Sequence, residues 1–190
     1  METTNVLIVG VGGQGLVLAT EILSQVAFKE GYDIKSGDVI GLSQRGGKVW
    51  GSVRFGEKVH SSMIPAGEVD IMLAMEQLEG LRWSNELKSS AVVVLNSDVI
   101  YPNKVLLEKE DYPENIEEKL LATCAKIVKI NGNDIAKQAG NAKAINIALL
   151  GALAKYLPFK NETWLEVIKN NVPKNTIDIN ITAFNLAQNM

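Results

Sequence analysis

One cysteine and one histidine in 190 residues remove several kinds of chemistry at the outset. Cys124 has no second thiol to pair with, so an internal disulfide is excluded, as is a cysteine-ligated zinc or iron–sulfur site built by this chain alone. It falls in an apolar stretch entering an expected strand, where a thiol reads as a small buried hydrophobe. His60 has no Cys, His or paired carboxylate at ligand spacing, so it reads as a surface residue and no metal site is expected. A net charge of −3 without a basic stripe gives no electrostatic reason to expect nucleic acid. The longest apolar stretch, Ala144 to Leu157, is broken by Asn146, Gly151 and Lys155 and is too short to span a bilayer. Met1-Glu2-Thr3-Thr4 lacks the basic flank and apolar core of a signal peptide, which makes the cytoplasm the expected compartment, with no membrane partner. The sequence contains no nucleophile elbow, Walker loop or kinase set, and no repeat or low-complexity tract, so no side chain is assigned a catalytic role.

What is present is 46% apolar content, enough to bury one good core as a single domain spanning residues 1–190. The most informative stretch is Asn5 to Leu23. Val6 to Val9 is a continuous aliphatic run, the pattern of a strand buried on both faces. After the glycines, Leu16, Ala19, Ile22, Leu23 and Val26 recur at helical spacing, so the segment reads strand, glycine loop, helix. Gly10, Gly12 and Gly15 fill the G-x-G-x-x-G pattern, with Gly13 and Gln14 inside it. Such a loop offers backbone N–H groups and a helix N-terminus to an anion, but it reports the turn before it reports the ligand. A dinucleotide would need an acid closing the second strand; Asp33 and Asp38 are near, and neither is convincingly placed.

Along the rest of the chain, strands are expected at Tyr32–Ser36, Ile71–Met75, Ala91–Asn96 and Ile127–Ile130. Helices are expected at Glu76–Leu87, Ile116–Ala125, Ile135–Gln138 (capped by Asn133 or Asp134), Ala144–Tyr156 and Trp164–Asn171. The last segment, Ile177 to Met190, reads as a helix packed on another subunit, and Ala144–Tyr156 as one buried between the sheet and a partner chain. Val49, Val53 and Phe55 alternate with polar or small residues, and Gly56-Glu57 leads to Lys58-Val59-His60, a β-hairpin in place of a crossover helix. The expected fold is therefore α/β, a Rossmann-like three-layer α/β/α arrangement with a mostly parallel, mixed sheet and an inserted hairpin. Glu76 and Glu79 read as helix-surface charge, Trp83 as a packing or interface residue, and residues 97–115 as surface loop. Asn96 and Ser97, at a strand's carboxyl end, are candidates to line the crevice beside the glycine loop. Gln44, Arg45, Gly46 and Gly47 form a tight loop that admits two readings, a solvated turn or a contact loop facing a ligand or subunit.

The pair Gly10-Val-Gly12-Gly13-Gln14-Gly15 and Gly41-Leu-Ser-Gln44-Arg45-Gly46-Gly47 resembles the small, gamma-type subunits of 2-oxoacid:ferredoxin oxidoreductases. The directly joined Gln-Arg-Gly-Gly is most similar to the indolepyruvate-type branch; the pyruvate and 2-oxoglutarate types, where a spacer precedes Arg-Gly, are the alternative, as is a free-standing NAD(P)-binding protein. The resemblance continues through Pro65–Asp70, Leu73–Arg82, Asn146–Ala154 and, weakly, Asn180–Phe184. It implies a complex in which a large alpha subunit carries thiamine diphosphate with magnesium and the iron–sulfur clusters. That complex would convert an arylpyruvate to an acyl-coenzyme A and reduce ferredoxin. In such a hetero-oligomer this chain would be inactive alone. Its Gly10–Gly15 and Gln44–Gly47 loops, with Asn96, would face the partner's thiamine site or receive coenzyme A phosphates.

Overall fold

The computed structural model describes residues 3–40, 46–101, 105–106 and 111–190. Its strands are β1 (Thr4–Val11), β2 (Asp33–Ile40), β3 (Lys48–Gly56), β4 (Val69–Ala74), β5 (Leu87–Asn96) and β6 (Lys126–Ile130). Its helices are α1 (Leu16–Lys29), α2 (Gln77–Arg82), α3 (Ile116–Leu121), α4 (Gly132–Gln138), α5 (Ile145–Ala154), α6 (Asn161–Asn171) and α7 (Ile177–Gln188). The six strands lie in the order β2-β3-β1-β4-β5-β6. β1, β4, β5 and β6 are parallel, and β3 runs antiparallel to both of its neighbours.

The sheet is buried on both faces because the central strands are apolar at odd and even positions alike. Val6 and Ile8 of β1 join α1, α5, α6 and α7 in one core, while Leu7 and Val9 join α2 and α3 in the other. Each fully buried aliphatic side chain contributes roughly 1.5–3 kcal/mol. The expected mixed α/β architecture is thus borne out. The expected hairpin about Gly56-Glu57 does not form, because Lys58-Val59-His60 is not a strand; β3 pairs instead with β2, which precedes it in the chain. β2 extends four residues past Ser36 because its continuation, Gly37 to Ile40, finds partners in Ser52 to Val49. A strand bordered by glycine and aspartate carries little propensity of its own and is legible only through its neighbour.

Other boundaries shift for local reasons. α2 ends at Arg82, a 3-10 turn covers Ser84–Glu86, and β5 starts at Leu87, where the expected helix was to end. α4 is capped by Asn131, whose side chain accepts from Asp134 N–H at 3.0 Å, and not by Asn133 or Asp134. α7 packs against α5 in the same chain, burying Ala183, Phe184 and Ala187. The all-round apolar surface of α5 is therefore covered by the sheet side and by α7 of this chain, with no second chain required.

Candidate functional site

At the carboxyl edge of the sheet, β1 and β4 are neighbours whose outgoing connections diverge: β1 leads through α1 toward β2, and β4 leads through α2 toward β5. In open α/β sheets this reversal of strand order opens a crevice for ligands. A cavity of about 430 Å³ lies there. It is lined by Gly13, Gln14 and Gly15, by Met75 and Ile100, and by the start of α5 with the residues before it, including Lys143, Asn146 and Leu149.

The glycine turn is held by its own glutamine. Gln14 Oε1 accepts from Val11 N–H at 2.7 Å, and Gln14 Nε2 donates to Met75 C=O at 2.8 Å, tying the ends of β1 and β4 together. A Cβ on Gly10 would fall 2.5 Å from that Gln14 oxygen, so Gly10 makes room for the tie. Gly15 begins α1 in the left-handed conformation at φ +76° and provides no side-chain cap for the first turn. The opposite turn meets this one directly: Gly12 N–H donates to Gly47 C=O at 2.8 Å, and Gly46 N–H to Gly12 C=O at 3.2 Å. The contact continues the β1–β3 register, in which Val11 faces Lys48, by one further pair. Two glycine-rich segments about 30 residues apart are thus adjacent because one ladder runs through both.

Gln44 and Arg45 lie outside the described residues. Asn96 is not a cavity-lining residue. It is buried, its Nδ2 donates to Met75 C=O at 3.1 Å, and its Oδ1 accepts from Gly132 N–H at 3.1 Å. Its amide joins β4, β5 and the start of α4 beneath the crevice, and Ser97 C=O is taken by Gln77 Nε2 at 2.9 Å. The acids weighed for a ribose are also committed elsewhere. Asp33 stands at the opposite edge of the sheet, where Val59 N–H and then Lys35 hold its carboxyl down at a pKa of about 2. Asp38 turns toward Thr20 of α1, its pKa raised by burial against that hydrogen bond's opposing effect.

Lys143 and Asn146 are site residues that sequence reasoning passed over. Asn146 Nδ2 donates to Gly15 C=O at 3.4 Å, linking α5 to the glycine turn. The signal was an asparagine interrupting the most apolar helix of the chain, a placement that costs stability unless the amide has a partner. Glu76 and Glu79 depart furthest from expectation, since neither is surface charge: both are fully buried. Glu76 caps Glu79 N–H at 2.9 Å and accepts the Tyr112 hydroxyl at 2.7 Å, while Glu79 accepts from Arg82. Burial pushes the Glu76 carboxyl up, with the Tyr112 bond opposing. Trp83 packs against Trp50 with ring centroids 5.2 Å apart, His60 is exposed, and Cys124 is buried as expected. Among the described residues no helix is long and apolar enough to cross a membrane.

A mixed sheet with a glycine turn and a cavity where its strand order reverses defines a Rossmann-like binding domain. The chain belongs to the pyruvate ferredoxin/flavodoxin oxidoreductase family, whose model matches residues 5–190. It is 38% identical to the indolepyruvate oxidoreductase subunit IorB of Thermococcus kodakarensis, covering 98% of this chain and 95% of that one. Against the protein of the same name from Methanothermobacter thermautotrophicus it is 34% identical, over 95% and 93%. The gamma subunit of a keto/oxoacid ferredoxin oxidoreductase from Geobacter sulfurreducens has the same fold, with a TM-score of 0.72 at 23% identity over 98% and 96% of the two chains. A 2-oxoglutarate:ferredoxin oxidoreductase from Magnetococcus marinus contains the fold within a longer chain, of which 31% is covered, with a TM-score of 0.77 at 15% identity. The resemblance drawn from the paired glycine motifs is borne out, and the chain is a small subunit of a 2-oxoacid:ferredoxin oxidoreductase.

Proposed function

We propose that this subunit serves an indolepyruvate-type enzyme, which oxidatively decarboxylates an arylpyruvate to an acyl-coenzyme A with reduction of ferredoxin. In this reading the glycine edge faces a large partner subunit and its cavity takes up coenzyme A. The metal-dependent groups do not fit this chain: its cysteine is single and buried, and no three His, Cys, Asp or Glu among the described residues are placed to hold a metal ion. Thiamine diphosphate with magnesium and the iron–sulfur clusters, on the partner, would supply carbanion stabilisation and the electron path. What this chain contributes is binding, orientation and exclusion of water.

The observation that carries the reading is the direct pairing of Gly12 with Gly46 and Gly47 beside an apolar cavity. The residues there suit a ligand with an apolar arm and an anionic end. Met75, Ile145 and Leu149 offer apolar wall, and Lys143 a cation; the first turn of α1 lacks a side-chain cap. Arg45 enters on sequence resemblance alone, as a guanidinium for phosphate. The choice of an arylpyruvate follows the IorB relatives.

Coexpression with the large subunit, followed by steady-state kinetics, tests this. Lys143→Ala and Arg45→Ala should each raise KM for coenzyme A roughly tenfold, the loss of one charge-assisted phosphate contact, with the complex still assembling. Turnover should favour indolepyruvate over pyruvate and 2-oxoglutarate. Unchanged coenzyme A kinetics in both variants would remove the proposal.

A further inference from the structure

The cavity has walls from distant parts of the chain, and one set of contacts joins two of them. Met75 and Ile100 both line it. Directly after Met75 comes Glu76, fully buried, whose Oε1 accepts the Tyr112 hydroxyl at 2.7 Å. The Tyr112 ring meets that of Tyr101 edge to face, with centroids 5.1 Å apart, and Tyr101 directly follows Ile100. The path therefore leaves the cavity at Met75 and returns to it at Ile100.

Capping alone does not account for Glu76. A short neutral or Asp cap satisfies a helix start, whereas burying a longer carboxylate costs several kcal/mol unless its oxygens are bonded. One Glu76 oxygen caps Glu79 N–H; the other is spent on a tyrosine 36 residues away. Burial and the neighbouring carboxylate both push the Tyr112 hydroxyl up, so it remains the donor.

We propose that Glu76 and Tyr112 are positioning residues that fix Ile100 relative to Met75 and so set the shape of the cavity for its ligand. The inference rests on the reading that the cavity takes up coenzyme A. Because neither side chain lines the cavity, their loss should act on binding and spare the chemical step.

The test uses the complex with the large subunit and four variants. Tyr112→Phe keeps the ring contact and removes the hydroxyl; it should raise KM for coenzyme A roughly tenfold with kcat unchanged, the equivalent of one hydrogen bond to a carboxylate. Glu76→Gln has one acceptor oxygen for the two donors; with that oxygen capping Glu79 N–H, its amide donates to the Tyr112 oxygen and keeps the link, so KM should stay nearer the parent than in Tyr112→Phe, which a general loss of stability would not give. Tyr101→Ala cuts the link at a half-exposed position, should give the same rise in KM, and decides the matter if Tyr112→Phe does not fold. Ile100→Ala alters the wall itself: if it leaves KM unchanged, the cavity reading fails. If Ile100→Ala raises KM while Tyr112→Phe or Tyr101→Ala does not, the positioning role alone is wrong.

Discussion

Gly15 shows how one backbone dihedral sets up the site. At φ +76° an alanine costs about 1–2 kcal/mol, and its Cβ would lie 2.6 Å from Asn146 Nδ2, disturbing the bond from that amide to Gly15 C=O. Gly31 has a similar φ of +88° with nothing within 4 Å of the added atom. Urea denaturation should therefore show Gly15→Ala destabilised by about 2–3 kcal/mol and Gly31→Ala by about 1 kcal/mol, the difference reporting the close approach of α5. Equal losses would mean that Asn146 moves aside freely. At the other edge of the sheet, Asp33 anchors the turn after β3 through Val59 N–H and the Lys35 and Lys58 ammonium groups. Its folded pKa of about 2 lies below the ordinary 3.8, so its contribution is present above pH 3.8 and is lost as pH falls toward 2. Asp33→Asn should flatten the fall in the urea midpoint across that window, and a variant parallel to the parent there would show that other carboxylates carry the acid response.

Among the elements, α5 and α7 cross closely at Gly151. A Cβ on Gly151 would sit 2.2 Å from the backbone oxygen of Phe184, which unlike a side chain has no rotamer to escape into. Gly151→Ala should force the helices apart and cost about 3 kcal/mol, read as a lower thermal midpoint with loss of packing around Phe184 and Trp164. A stability within 1 kcal/mol of the parent would mean that α7 slides without cost. This crossing also explains why the sequence misassigned part of the cover of α5. Apolar residues around α5 and along α7 announced burial, but periodicity does not name the surface that does the burying, and the two proved to cover each other. β1 and α1 were legible because their periods differ sharply across the glycines. β2 was not, since Ser36-Gly37-Asp38 has no strand signature and is held only by its register with β3.

For the molecule as a whole, the paired glycine motifs pointed to the family, and the β1–β3 ladder supplies the physical reason they occur together. The site was less legible. Gln14, singled out as a ligand contact, lines the cavity and also ties two strands together; Asn96 is a buried tie that does not line it, and Asn146 meets the glycine turn only through a closure across 131 residues that no local pattern encodes. Buried Glu76 and Glu79 looked like surface charge because their partners, Tyr112 and Arg82, are ordinary residues in sequence. As proposed, the carboxyl edge of the sheet is the face turned toward a large partner subunit. Hydrogen–deuterium exchange of this chain, alone and then assembled with that subunit, measures this directly. Added protection is expected across residues 10–15, 46–47 and 142–146, with the Asp33 edge unchanged; protection confined to the Asp33 edge would contradict it.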